Sequence, residues 1–161
     1  MVARYPVDRN TYNKEVGFLR VQHIMMILEE FGFNANSREI EDEDVDIWVN
    51  DLSEYLILVI EVMNWRKKCF MSEKKAISMR DNFRKYFCFK LLACSFESNF
   101  KTREDYIESD VDVIVFGFQT QPYIEFFSEL GEADGMRPDD EETLDLEREK
   151  ILDYLKRKGL L

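Results

Sequence analysis

The chain holds no apolar run long enough to span a bilayer, no CxxC pair, no zinc-finger spacing, no internal repeat and no low-complexity tract. A transmembrane helix needs about 20 consecutive apolar residues, so none is expected. The first residues, with Arg4, Asp8 and Arg9, lack the apolar centre of a signal peptide. Three cysteines, Cys69, Cys88 and Cys94, leave one unpaired in any disulfide scheme, so a reducing, cytoplasmic location is expected. Basic charge is also in short supply. With 22 Lys and Arg against 33 Asp and Glu, the net charge is −11, which argues against coating nucleic acid through a generally basic surface.

What is present is enough for one substantial core. The 161 residues are 45% hydrophobic and include 13 Phe, 7 Tyr and 2 Trp, large side chains that make wholesale disorder implausible. Residues 1–130 are expected to form an α/β domain, and residues 131–161 an acidic linker followed by an amphipathic helix. Charge is uneven along the chain. Arg66, Lys67, Lys68, Lys74, Lys75, Arg80, Arg84, Lys85 and Lys90 crowd the middle, between acidic stretches at Glu39–Asp46 and Asp134–Glu149, so a local basic face is compatible with the acidic whole.

Apolar spacing predicts a helix over Thr11–Phe31, with Tyr12, Val16, Leu19, His23, Ile27 and Phe31 inward, Phe18, Met25 and Met26 widening that face, and Gly32 as its stop. His23 is read as a packed helix residue rather than a ligand. Three strands are expected next, at Phe33–Ile40, Asp44–Val49 and Glu54–Val62. The second alternates apolar and polar residues, and the third is a near-continuous Val, Ile and Leu run typical of a strand covered on both sides. Ser72 is placed to cap a helix reaching Lys85 or Tyr86, with Ala76, Met79, Phe83 and Phe87 inward. A strand at Phe89–Phe96 follows, then a short helix opened by a capping box at Thr102–Asp105, a strand at Val111–Phe118 and a helix near Tyr123–Leu130. Asp139 or Asp140 caps a last helix whose stripe is Leu144, Ile151, Leu152 and Leu155, interrupted by Arg148. Packing back on the core is the first expectation for that stripe. Contact with a second subunit or protein partner is the alternative.

Two acids fall where strands seldom carry them. Asp46 lies within one strand and Glu61 near the end of the apolar run Leu56–Trp65. A hard cation such as Mg²⁺ is held by one or two carboxylates with waters and substrate phosphate. Side chains alternate along a strand, so Glu61 and position 63 share a face, and a lysine at 63 would orient or deprotonate a water for attack on a phosphodiester. Position 63 is methionine, a thioether that takes no proton. By the residues alone, Met63 also reads as core, Trp65 as packed beside the strand end and Cys94 as a small buried hydrophobe, while Arg66, Lys67 and Lys68 are either a solvated face or a phosphate-binding track.

Asp46, the interval to Glu61 and the Glu61-Val62-Met63 run resemble the active-site signature of the PD-(D/E)XK nuclease superfamily. That superfamily has a restriction-endonuclease-like core of similar helix, three-strand, helix, strand order. The resemblance covers roughly Thr11 to Phe96. The elements read from the residues give a mixed β-sheet flanked by helices in αβββαβαβα order with the C-terminal helix appended, and the resemblance implies a restriction-endonuclease-like core within it. It further implies Mg²⁺-dependent hydrolysis of DNA, with Mn²⁺ as substitute, Asp46 and Glu61 as metal ligands and Glu15 as the additional acid on the first helix. Met63 departs from the pattern. The superfamily includes members whose lysine function moves to the following helix, which makes Lys74 and Lys75 the candidates here. A relative that keeps the scaffold for binding nucleic acid or a protein without catalysis is the alternative.

Overall fold

The computed structural model describes residues 9–37, 44–121 and 137–161, with side chains described from Val16 onward. The expected helix near Tyr123–Leu130 lies outside the described residues. Helix α1 (Arg9–Glu30) leads into strands β1 (Asn34–Ser37), β2 (Ile47–Asn50) and β3 (Leu56–Met63), then helix α2 (Glu73–Phe83), β4 (Phe89–Cys94), two short 3₁₀ turns, β5 (Val111–Val115), the two-residue strands β6 (Thr120–Gln121) and β7 (Arg137–Pro138), and helix α3 (Glu141–Arg157). Strands β1 to β5 form one mixed sheet in sequence order. The pairs β1–β2 and β2–β3 are antiparallel, whereas β3–β4 and β4–β5 are parallel. The tight turn at Asp51–Glu54 suits the antiparallel pair, and the α2 crossover supplies the length that a parallel return needs.

Alternation along β3 divides the core in two. Leu58, Ile60 and Val62 join Leu91, Ala93 and Ile114 beneath α1 and α3, packing on Ile24, Ile27, Leu28, Ile151 and Leu155. Val59 and Met63 point the other way, with Leu92 and Cys94, onto Met71, Ala76, Met79 and Phe83 around α2. Glu61 lies between Val59 and Met63 and so belongs to the α2 face. Truncating a core side chain such as Ile60 to alanine costs about 2–5 kcal/mol, so β3 anchors both layers.

Local chemistry sets the element ends. Gly32, at φ 94°, closes α1: its N–H donates to the Glu29 carbonyl at 3.0 Å and the Phe33 N–H to the Leu28 carbonyl at 3.1 Å, a Schellman arrangement. Ser72 Oγ accepts the Lys75 N–H at 3.1 Å to cap α2. Asp140 Oδ1 accepts the Thr143 N–H at 2.9 Å to cap α3.

Several expectations need correction. β2 starts at Ile47 rather than Asp44, β4 ends at Cys94 rather than Phe96, and β5 ends at Val115 rather than Phe118; residues 38–40 of the first expected strand lie outside the described residues. Phe18 and Met26 are exposed, because the buried stripe of α1 is Val16, Arg20, Val21, His23, Ile24, Ile27 and Leu28. Phe87 is fully exposed, since α2 stops at Phe83 and the helical phase does not carry on to it. Thr102 caps nothing: the 3₁₀ turn Lys101–Tyr106 starts from buried Phe100, whose carbonyl takes the Arg103 N–H at 2.8 Å. In α3 the charge on the buried stripe is Glu147, not Arg148. The inward side of that helix packs on α1 and the sheet through Ile151, Tyr154 and Leu155.

Candidate functional site

Glu61 is 4% exposed. Its Oε2 accepts from Lys75 Nζ at 2.6 Å, and the lysine side chain keeps 32% of its surface open to solvent. The reach follows from helix phase. Ala76, Met79 and Phe83 face the core, and Lys75 precedes Met79 by four residues, so it lies at the edge of the same stripe. Lys74 points outward and is exposed. The Ser72 cap fixes the first turn from which Lys75 extends, so Lys75 rather than Lys74 is brought onto Glu61.

Asp46 sits one residue before β2, where the ladder bends. Its N–H donates to the Ile60 carbonyl at 3.0 Å, and its Oδ2 accepts the Val62 N–H at 2.7 Å. The β2–β3 ladder starts at Ile47↔Ile60; Asp46, just before it, bonds the same Ile60 residue through its N–H, and its carboxylate meets β3 at Val62, the residue after Glu61. Met63 is fully buried in the α2-side core, in the cluster that holds Met71 and Ala76. Glu15 lies on α1, and its side chain falls outside the described residues.

Among the described residues no group of three or more His, Cys, Asp or Glu side chains converges on one point. Asp46 and Glu61 offer oxygen donors only, which would suit a hard ion of the Mg²⁺ type completed by waters and substrate phosphate rather than zinc, whose protein ligands are chiefly nitrogen and sulfur. These two carboxylates are the residues that would hold such an ion.

Arg66, Lys67 and Lys68 follow β3 in a loop that Asn99 clamps from within. The fully buried Asn99 donates from Nδ2 to the carbonyls of Arg66 and Cys69 at 2.9 and 2.8 Å, and its own carbonyl takes the Met71 N–H at 2.8 Å. Arg66 is half-buried, whereas Lys67 and Lys68 are exposed. The two lysines line a surface cavity of about 440 Å³ with Phe70, Glu97, Ser98, Lys101 and Thr102. Lys90, counted with the basic residues of the middle, is instead buried near the start of the interior strand β4 and bonds Asp110 at 2.8 Å. Trp65 packs against the α2-side core, and burial pushes the Cys94 thiol up to about 12.

The opposite face of the sheet carries a polar network absent from the sequence reading. Arg20 is fully buried. Its Nε donates to Glu147 Oε2 at 2.7 Å, Nη1 to Ser95 Oγ at 2.9 Å, and Nη2 to Thr120 Oγ1 and the Phe118 carbonyl at 2.8 and 3.0 Å. His23 bridges Glu147 Oε1 through Nδ1 and Asp139 Oδ1 through Nε2, both at 2.6 Å. Burial disfavours charge on His23, but the hydrogen bond and charge of Glu147, with help from Asp139, overcome it and raise its pKa above the ordinary histidine value. Burial likewise opposes ionisation of Glu147, yet His23 and Arg20 hold its pKa below the usual carboxylate value. Asn64, after β3, joins the network at its rim by donating to the carbonyls of Val16 and Thr120, both at 2.7 Å. A signal for this cluster does exist in the sequence: Arg20 stands four residues from both Val16 and Ile24, and Glu147 four from Ile151, so each charge falls on a core-facing stripe.

No protein-family model, curated protein or solved structure matches the chain. No described helix is long and apolar enough to cross a membrane.

Proposed function

We propose that the chain is a metal-dependent phosphodiesterase acting on DNA, with Asp46 and Glu61 as the ligand pair and Lys75 in the role that a lysine at position 63 would have filled. The observation that carries the reading is the 2.6 Å contact between Lys75 Nζ and Glu61 Oε2, made from the helix that follows the site strand while Met63 is buried. The order of helix, antiparallel three-strand meander, helix and parallel strand supports a restriction-endonuclease-like core. Mg²⁺ bound there would polarise a phosphoryl oxygen and lower the pKa of a water. Glu61 and Asp46 position it. Lys75, at the solvent side of Glu61, places a positive charge where a phosphate would arrive and stabilises the negative charge that develops on it.

Incubation of purified protein with labelled single-stranded, flapped and duplex DNA and Mg²⁺ tests this. Cleavage that falls at least about a hundredfold on Glu61→Gln, Asp46→Ala and Lys75→Met is the expected result. Cleavage that survives Asp46→Ala, or calorimetry showing no Mg²⁺ or Mn²⁺ binding, would overturn it. The burial of Met63 favours one second reading, a nuclease-like scaffold that binds nucleic acid or a protein without cutting. Robust DNA cleavage lost in Glu61→Gln eliminates that alternative.

A further inference from the structure

We infer that the cavity beside the loop joining β3 to α2 seats one unpaired nucleotide of a nucleic-acid strand, with phosphate on Lys67, Lys68 and Lys101 and the base on Phe70. The inference deepens the proposed function and rests on it for where the rest of the strand runs. Charge is the first argument. In a chain of net charge −11, three lysines meet at one concave site. Glu97 also lines it, but its 3.4 Å contact with Lys101 joins side chains 66% and 58% exposed, a screened pair that an arriving phosphate readily displaces.

The aromatic ring is the second argument. Phe70 is 63% exposed although Met71, the next residue, is fully buried. Every base offers a π-face, so an exposed ring beside a basic groove is a stacking platform. Bases within a duplex are already stacked on one another and leave no face for it, so the occupant must be unpaired.

Rigidity and position complete the case. Asn99 ties the loop at the Arg66, Cys69 and Met71 backbones, and Ser98 Oγ donates to the Lys67 carbonyl at 2.5 Å. The lysines and Phe70 therefore stand on a backbone already held in place. A volume of about 440 Å³ falls in the range of small-ligand pockets. The cavity lies beyond the carboxyl ends of the parallel strands β3 and β4, where open α/β sheets bind their ligands. Phe70 is five residues from Lys75, a backbone reach of at most about 18 Å, so one strand can touch both.

Fluorescence anisotropy of the full chain with a labelled oligothymidylate, and with a duplex of equal length, in EDTA, separates this inference from catalysis. Tighter binding of the single strand is expected. The triple variant Lys67→Gln, Lys68→Gln, Lys101→Gln should weaken it at least about tenfold and flatten the salt dependence by a slope of about 0.7, the value for one phosphate of a single strand. Phe70→Ala should weaken it several-fold at unchanged salt slope, with Phe70→Trp restoring it. All four side chains are exposed, and circular dichroism verifies that each variant keeps its fold. Single-strand affinity no greater than duplex affinity, or indifference to both sets of variants, overturns the inference. Binding that persists in Glu61→Gln while no DNA is cut by the unaltered protein instead defeats the catalytic reading and leaves the nucleotide seat standing.

Discussion

The two faces of the sheet each bury an acid against a base, and they do so differently. On the α1–α3 face, Arg20 and Glu147 are both 0% exposed, and two hydroxyls and a carbonyl take three further guanidinium protons. The rings of Phe116 and Phe118 lie 4.2 and 5.0 Å from the guanidinium carbon. On the α2 face, Glu61 is nearly as buried, but Lys75 is one-third open to solvent. A closed network has no room for another partner and joins α1, α3 and the strand ends. An open pair can exchange its lysine for an incoming ion or phosphate. Burial of an ion pair is therefore weak evidence for a functional site here, and access to one of its members is the better guide.

The closed network should respond most to mutation. Arg20→Met or Glu147→Ala leaves its partner buried without its charge, and the expected loss of stability is about 3–5 kcal/mol, readable in urea denaturation. Lys75→Met should cost less, about 1–2 kcal/mol, because water entering beside the lysine solvates Glu61. Equal losses at the two sites would break the comparison. Activity should rank the variants the other way, with Lys75→Met harming cleavage far beyond its effect on folding.

The contrast also explains what the sequence made legible. The Ser72 cap and the Gly32 stop rest on bonds within a few residues, and the apolar run of β3 carries its two-sided burial in consecutive residues, so the local pattern exposes all three. Asp46 and Glu61 stood out because carboxylates are rare in such strands. The choice between Lys74 and Lys75 depended on the phase of α2, which needed the inward set to be known to within one residue. The pairing of Arg20 with Glu147 is not legible, because charged residues on helices are usually at the surface and a stripe position does not reveal a partner 127 positions away. The α3 stripe is hard to phase for the same reason, since Glu147 and Arg148 are adjacent charges and only the first is buried.

Acidity and alkalinity should loosen the closed face from opposite sides. His23 has its pKa raised in the folded chain, so its contribution is complete below the unfolded value of 6.5 and disappears as pH rises through the folded value. Glu147 has its pKa lowered, so its contribution is present above the unfolded value of 4.5 and is lost as pH falls through the folded value. Stability from this network should thus peak between the two. Thermal melts of His23→Gln should lose the alkaline limb of the profile and retain the acid limb. An unchanged alkaline limb would remove His23 from the network's energetics.

The smallest effect should come from the neighbouring residue on α3. Arg148 joins the same two helices, reaching Glu30 through Nε and Nη2 at 2.8 and 2.9 Å, but the pair is 31% and 41% exposed. Water solvates both groups when they part, and salt screens them when they meet, so Arg148→Ala should cost less than about 1 kcal/mol and still less at high ionic strength. Arg20→Met should be nearly indifferent to salt, because no ion reaches its partner. Glu147 and Arg148 are adjacent and their partners Arg20 and Glu30 both lie on α1, so the two tests probe the same helix–helix contact. A salt-sensitive loss at Arg20, or a salt-insensitive one at Arg148, would show that solvent access does not separate the two interactions.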